Sequence, residues 1–197
     1  METTRLIIVA VGGQGNLLAS KVLGDAALLA GVPVRMSEIH GMAQRGGVVE
    51  SAIVFGEAES AIISDGEADI LLGFEPAETL RAIKRCSKET RVITNTAPVP
   101  PFTVAVGMGT YPDVEQMKQL IKAKTAGLVA IDAMALAKEA GSPMSVNIVL
   151  VGALIQTGAL GFDRKMVEQA IKNRVKPAFQ EVNLKAFDLG FTAAANA

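Results

Sequence analysis

The 197-residue sequence is poor in the side chains that bind metals and form disulfides. Cys86 is its only cysteine and His40 its only histidine. A disulfide needs two cysteines, and zinc sites and cysteine-ligated iron–sulfur clusters draw several ligands from these two residue types. We therefore expect none of these sites to be built by this chain alone.

The sequence also lacks a strong charge and a long apolar run. Nineteen basic residues against 20 acidic ones give a formal net charge of −1, which disfavours a nucleic-acid or anionic-membrane surface. The longest apolar run, Val146–Ile155, has about half of the ~20 residues that a membrane-spanning helix needs. The first residues lead into a strand pattern without a cleavable apolar segment. We expect a cytoplasmic protein without nucleic-acid or membrane partners.

Apolar residues are, by contrast, abundant. They make up 50% of the chain, and about 60% when the 19 glycines are included, against roughly 45–50% in an average soluble domain. Because no membrane span is predicted, we interpret this excess as surface that packs against another subunit.

The order of apolar patterns predicts an α/β fold. A β-branched run at Arg5–Val11 ends in glycines, and a helical pattern at 17–30, with Asn16 as its predicted N-cap, leads to a strand at Val34–Ile39. Such a strand–helix–strand unit is what a parallel sheet requires. We predict a three-layer Rossmann-like single domain over residues 1–197, with a mainly parallel sheet and a helical C-terminal third packed on it from about residue 145. Further strands are predicted at 48–55, 70–74, 91–95 and 128–131, and helices at 76–86, 112–124, 133–140, 145–157, 163–175 and 178–189.

The glycine-rich loop after the first strand is the first candidate binding element. Gly13, Gln14 and Gly15 lie between a strand and a helix, where backbone N–H groups can approach a phosphate closely. The glutamine amide adds a donor and an acceptor. The alternative interpretation is a tight turn that only packs the helix against the strand.

The segment from Ser37 to Gly47 is the second candidate. Gln44, Arg45 and Gly46 could hold an anion together, since arginine suits bidentate recognition of phosphate or carboxylate. His40 is a candidate acid–base group because its ordinary pKa is near 6.5, with a structural role as the alternative. Glu38 could bind a ribose hydroxyl or pair structurally.

Two asparagines interrupt apolar helical patterns in the C-terminal third. Asn147 and Asn183 are therefore predicted to be buried polar groups that need hydrogen-bond partners, in the core, at an interface or on a ligand.

These two loops resemble a known family. Val11–Gly15 and Glu38–Gly47 are similar to the gamma-type module of 2-oxoacid:ferredoxin oxidoreductases. Four further segments resemble, in particular, the small subunit of the indolepyruvate branch of that family: Gly73–Pro76, Tyr111–Pro112, Asn147–Leu154 and Asn183–Phe187.

The resemblance implies oxidative decarboxylation of a 2-oxoacid with coenzyme A as co-substrate and ferredoxin as electron acceptor. It assigns Gly13, Gln14, Gly15 and the Gln44–Gly46 segment to coenzyme A. It also implies a large partner subunit that carries thiamine diphosphate and iron–sulfur clusters, with ferredoxin as an indirect partner. Ala10 stands where the family usually has a glycine, which leaves the path of the first turn open.

Several alternatives remain at this point. The chain could serve a pyruvate, 2-oxoglutarate or branched-chain 2-oxoacid enzyme instead of an arylpyruvate enzyme. It could also be a free-standing flavin or nicotinamide module, or both loops could be subunit interface without ligand contact.

Overall fold

A computed structural model describes residues 3–40 and 47–197. The strands are β1 (Thr4–Val11), β2 (Val34–His40), β3 (Val48–Phe55), β4 (Ala68–Gly73), β5 (Cys86–Asn95) and β6 (Gly127–Ile131). The helices are α1 (Asn16–Leu29), α2 (Pro76–Arg81), α3 (Phe102–Ala105), α4 (Val114–Lys124), α5 (Ala133–Ala140), α6 (Val146–Gln156), α7 (Arg164–Arg174) and α8 (Pro177–Ala195), with short 3-10 turns at Ala82–Arg85 and Pro143–Ser145.

The six strands form one mixed sheet in the order β2-β3-β1-β4-β5-β6. β1, β4, β5 and β6 are parallel neighbours, whereas β3 runs antiparallel to both β1 and β2. This arrangement confirms the predicted α/β class and the mainly parallel sheet. The single antiparallel strand follows from the short connection between β2 and β3, because a parallel connection needs a crossover of a dozen or more residues.

Both faces of the sheet are covered by helices. Successive side chains of a strand point to opposite faces, so Leu6 and Ile8 of β1 pack with α1, α6 and α8, while Ile7 and Val9 contact the smaller core on the other face. Because β1 is buried on both faces of the sheet, its sequence is apolar throughout and does not alternate between apolar and polar residues.

The C-terminal third is helical, as predicted, and α6 lies within it as a buried core helix. Every residue from Val146 to Ile155 is buried. α8 packs directly on α6 because both helices have a glycine at the contact. A Cβ at Gly190 would lie 1.9 Å from the carbonyl oxygen of Val149, and one at Gly152 would lie 2.1 Å from that of Phe187.

Two local predictions were wrong, and one helix was not predicted. Asn16 does not cap α1; Gly15 is the N-cap, and the Asn16 side chain turns instead to the carbonyl oxygen of Val49 and to Ser51. The helix that was not predicted is the short α3, which follows the proline-rich loop at residues 96–101. β5 begins five residues before its predicted start at Arg91.

The helix ends follow local rules more closely. Gly141 closes α5 with a φ of 115°, and Pro76 stands in the first turn of α2, where the Glu75 side chain accepts a hydrogen bond from the Glu78 N–H. Within residues 3–40 and 47–197, no helix has the length and apolar content that a membrane span requires.

Candidate functional site

The candidate site lies where the parallel strands end. β1, β4, β5 and β6 finish at the same edge of the sheet, and the loops that follow them meet there. The chain leaves β1 toward β2 on one side and returns to β4 on the other. The crevice between the ends of β1 and β4 is therefore a topological switch point, the usual ligand position in open α/β sheets.

The glycine loop presents unpaired backbone donors at this edge. Gly13 and Gly15 have φ values of 102° and 82°, which glycine adopts without strain. Within the described residues, the backbone N–H groups of Gly13, Gly15, Asn16 and Leu17 have no hydrogen-bond acceptor. Two of these groups belong to the first turn of α1, where the helix dipole also favours an anion.

The Gln14 side chain holds the loop in place. Its Oε1 accepts from the Val11 N–H at 2.8 Å, and its Nε2 donates to the Phe74 carbonyl at 3.2 Å. The same carbonyl accepts from Asn95 Nδ2 at 3.1 Å. Gln14 thus bridges the ends of β1 and β4 and keeps one amide N–H for another partner.

The last residue of the Ser37–Gly47 segment contacts the glycine loop. Gly12 donates to the Gly47 carbonyl at 2.8 Å. Gln44, Arg45 and Gly46 lie outside the described residues. The backbone of His40 is the last position of β2 and pairs with Val49.

A network of polar side chains connects the start of α1 to the neighbouring strands β2 and β3. The Ser51 hydroxyl donates to Asn16 Oδ1 at 3.0 Å and lies 3.4 Å from Glu38 Oε1. Ser20 also donates to Asn16. Glu38 therefore lies in a network that joins β2 and β3 to the first turn of α1.

A cavity of about 430 Å³ opens beside the glycine loop. Its walls come from the glycine loop, the turn between α5 and α6, and the junction of α7 with α8. They are mostly apolar, with polar side chains between them: Leu18, Met144, Val175, Phe179 and Val182, together with Ser142, Ser145, Asn147, Arg174, Lys176 and Asn183.

The two interrupting asparagines are buried and hydrogen-bonded, as predicted. Asn147 Nδ2 donates to the Gly15 carbonyl at 3.1 Å, and Asn147 Oδ1 accepts from the Ile148 N–H. Asn183 Nδ2 donates to the Phe179 carbonyl at 2.8 Å. Both also line the cavity.

Two basic residues at the cavity differ in their availability. Arg174 is paired with Asp25, with an Nη2 to Oδ1 distance of 2.7 Å. Lys176 is exposed and forms no ion pair within the described residues. Lys176 could not be predicted as a site residue, because nothing in its local sequence places it near a loop about 160 residues away; only the tertiary fold does.

A second cavity of about 320 Å³ lies between the end of β1, the start of β3, α2 and the proline-rich loop at residues 96–101. At its floor the buried Glu75 carboxylate accepts hydrogen bonds from the Tyr111 hydroxyl, the Val99 N–H and the Glu78 N–H. Burial, and then the hydrogen bond to Glu75, raise the pKa of Tyr111. Burial also raises the pKa of Glu78, against the opposing effect of Arg81. Glu75 therefore ties α2, the proline-rich loop and Tyr111 together.

Comparisons with known proteins give consistent results. The profile of the family described as pyruvate ferredoxin/flavodoxin oxidoreductase matches residues 5–193. The chain is 43% identical to indolepyruvate oxidoreductase subunit IorB of Pyrococcus horikoshii over 196 residues, which cover 98% of this chain and 97% of that protein.

Two solved structures share the fold. The gamma subunit of a keto/oxoacid ferredoxin oxidoreductase from Geobacter sulfurreducens superposes with a TM-score of 0.72 at 24% identity, over 98% of this chain and 99% of that one. The 2-oxoglutarate:ferredoxin oxidoreductase of Magnetococcus marinus, solved with 2-oxoglutarate, coenzyme A and succinyl-CoA bound, superposes with a TM-score of 0.74 at 18% identity. That match covers 100% of this chain and 32% of the other.

Proposed function

The chain belongs to the pyruvate ferredoxin/flavodoxin oxidoreductase family, and from this premise we propose that it helps a larger catalytic subunit to bind coenzyme A. It is a small subunit of a 2-oxoacid:ferredoxin oxidoreductase and pairs with a larger subunit. The proposal concerns what the small subunit contributes to the assembled enzyme.

One observation carries the proposal. The N–H groups of Gly13, Gly15, Asn16 and Leu17 are unpaired within the described residues and stand at the carboxyl edge of the sheet. Gly13 and Gly15 share the cavity wall with the exposed Lys176. Unpaired helix N-terminal donors beside a lysine suit a phosphate group. Coenzyme A has phosphates, and it is bound in the Magnetococcus marinus relative.

The predicted contacts divide into two groups. Gly13 and Gly15 supply backbone donors, while Gln14 shapes the loop and can use its remaining amide N–H. Gln44, Arg45 and Gly46 remain predicted contacts. The prediction is supported by the hydrogen bond from Gly12 to the carbonyl oxygen of Gly47, the residue that follows them in the sequence.

The rest of the enzyme's chemistry is assigned to the partner. We propose that the larger subunit binds thiamine diphosphate and iron–sulfur clusters and passes electrons to ferredoxin, because this chain has one cysteine and one histidine. The proposed substrate is an arylpyruvate such as indolepyruvate, on the strength of the 43% identity to the Pyrococcus horikoshii subunit. We further propose one domain over residues 1–197 and a cytoplasmic location.

A flavin or nicotinamide module is the competing function. The Gln14 amide bridges the ends of β1 and β4, across the crevice where a dinucleotide crosses the sheet in doubly wound folds. This bridge therefore disfavours the binding of a dinucleotide. It leaves the unpaired N–H groups of the glycine loop for a phosphate.

The test uses the chain assembled with its larger subunit. Lys176→Met is expected to raise the KM for coenzyme A about tenfold, the loss of one charged contact, with kcat unchanged. Lys172→Met is the matched control, because Lys172 is exposed in the last turn of α7 but does not line the cavity. Arg45→Ala is expected to raise the same KM.

Three outcomes would contradict the proposal. They are oxidoreductase turnover by the chain alone, an unchanged KM for coenzyme A in both Lys176→Met and Arg45→Ala, or thermal stabilisation by a flavin or nicotinamide dinucleotide but not by coenzyme A. A preference of the assembled enzyme for pyruvate, 2-oxoglutarate or branched-chain 2-oxoacids over arylpyruvates would overturn the substrate assignment alone.

A further inference from the structure

The cavity beside the glycine loop has buried hydrogen-bonding groups that the protein leaves unused. Ser145 is 2% exposed, and within the described residues its hydroxyl makes no hydrogen bond. Asn183 is 8% exposed, and its Oδ1 has no donor there although its Nδ2 is paired. Among the described residues, Arg85 Nε is the only fully enclosed side-chain nitrogen or oxygen without a partner. The Ser145 and Asn183 oxygens are therefore accessible from the cavity, where they can bond to a ligand or to water.

Asn147 adds a donor to this set. It is 2% exposed, and one of its two amide hydrogens is directed to the Gly15 carbonyl. The second amide hydrogen is unpaired within the described residues. The cavity therefore offers a donor from Asn147, an acceptor from Asn183, and a hydroxyl from Ser145 that can act as either.

These three groups are uncharged, and the walls between them are apolar. Leu18, Val175 and Val182 contribute aliphatic surface, and the exposed side chains of Met144 and Phe179 stand at the cavity. An apolar cavity with a few converging polar groups is typical of a small-molecule site, and about 430 Å³ falls within the usual range of roughly 300–1,000 Å³.

A secondary amide matches this pattern of donors and acceptors. Its carbonyl can accept from Asn147 while its N–H donates to Asn183, and a neighbouring hydroxyl or amide can bond to Ser145. A phosphate matches Lys176 and the glycine loop on the same cavity wall, but not these three groups, because an anion would be repelled by the Asn183 oxygen and would lose its hydration among aliphatic side chains. The part of the cavity lined by Ser145, Asn147 and Asn183 is thus suited to a neutral, amide-containing chain.

We propose that this cavity binds the amide-containing pantetheine arm of coenzyme A, with Ser145, Asn147 and Asn183 as its polar contacts. The inference rests on the proposed function and extends it, since it assigns the nucleotide and the pantetheine arm of coenzyme A to different groups of residues. The nucleotide half contacts the glycine loop and Lys176 on the cavity wall, and the neutral arm lies against Ser145, Asn147 and Asn183 in the same cavity.

The experiment measures binding of three probes to the complete complex of this chain with its larger subunit: coenzyme A, pantetheine, and adenosine bisphosphate as the nucleotide half. Ser145→Ala is the main variant, because its hydroxyl has no protein partner and its loss should leave the thermal stability unchanged. We expect about fivefold weaker binding of coenzyme A and of pantetheine, the effect of one neutral hydrogen bond, with unchanged binding of adenosine bisphosphate.

Asn183→Leu is the second variant and should show the same pattern, and Lys176→Met is the reciprocal control that should weaken only coenzyme A and adenosine bisphosphate. Unchanged pantetheine binding in both Ser145→Ala and Asn183→Leu would overturn the inference while leaving coenzyme A binding by the complex intact. If these variants instead weaken assembly with the larger subunit and spare pantetheine, the occupant is a peptide segment of the partner, and the inference is wrong. Absence of coenzyme A binding by the wild-type complex would overturn the proposed function itself.

Discussion

The side-chain amide of Asn147 donates a hydrogen bond to the carbonyl oxygen of Gly15 across 132 residues of sequence. The contact is close enough that a Cβ at Gly15 would lie 2.5 Å from Asn147 Nδ2. The glycine loop is therefore fixed from two directions, by Gln14 along the sheet edge and by Asn147 from the start of α6.

This contact predicts a difference between two alanine substitutions. Gly15 and Gly66 have φ values of 82° and 81°, but no atom lies within 4 Å of a Cβ at Gly66. Both changes cost about 1–2 kcal/mol in backbone strain. Gly15→Ala should lower the unfolding free energy by a further ~1–3 kcal/mol, because the Asn147 amide must move away from the Gly15 carbonyl oxygen. Urea unfolding of both variants measures the difference, and equal losses would contradict the contact.

Close helix packing predicts a second contrast. Gly190→Ala places a Cβ against the backbone of α6, which cannot move aside, and should destabilise by about 3 kcal/mol or more. Gly24→Ala in α1 meets only the Met36 sulfur at 2.8 Å, the flexible end of a side chain. It should be neutral or stabilising by up to ~1 kcal/mol, since alanine favours a helix. Thermal unfolding compares the two; a Gly190→Ala variant as stable as Gly24→Ala would refute the packing.

Tyr111 predicts a spectroscopic titration. It is the only tyrosine, and tryptophan is absent, so its ionisation is directly visible in the ultraviolet. Burial and Glu75 raise its pKa above the ordinary value of 10.0. The tyrosinate absorbance of the folded protein should therefore appear at higher pH than that of the protein in urea, and coincident curves would show that the pair with Glu75 does not form.

The same pair predicts alkaline instability. Because the folded protein holds the Tyr111 proton more tightly, this contribution to stability is complete below pH 10.0 and is lost as the pH rises through the folded pKa. The wild type should thus lose more unfolding free energy than Tyr111→Phe when the pH rises above 10.0. Parallel pH dependences of the two proteins in urea unfolding would exclude the linkage.

Cys86 predicts low thiol reactivity. Burial raises its pKa to about 11, against a smaller lowering effect of a hydrogen bond with Thr90, and the thiolate is the reactive form. Alkylation at neutral pH should be much slower in the folded protein than in urea. Equal rates would mean that the start of β5 opens freely.

Local sequence signals predicted much of the fold but few of the hydrogen bonds that hold the candidate site in place. The apolar run of β1 and the closing glycine of α5 act within a few residues, so both elements were predictable. Gln14 shows the limit. The sequence suggests that its amide contacts a ligand, but does not reveal its bond to Phe74, which lies 60 residues away and comes near only when β4 pairs with β1.

The cavity residues show the same limit in another way. Asn147 and Asn183 could be predicted as buried because a polar residue interrupts an apolar helical pattern. Ser145 and Lys176 carry no such signal, since serine before a helix usually caps it and lysine usually lies in solvent. Their shared cavity exists only because α8 returns to the glycine loop.

The all-apolar α6 imposes an order on biosynthesis. Its cover is α8, which is translated only after α7, so a growing chain holds an uncovered apolar helix until the ribosome has passed Gly190. Until then the partly made protein is exposed to aggregation and to chaperones that recognise apolar segments. Truncation before α8 should therefore yield an insoluble product.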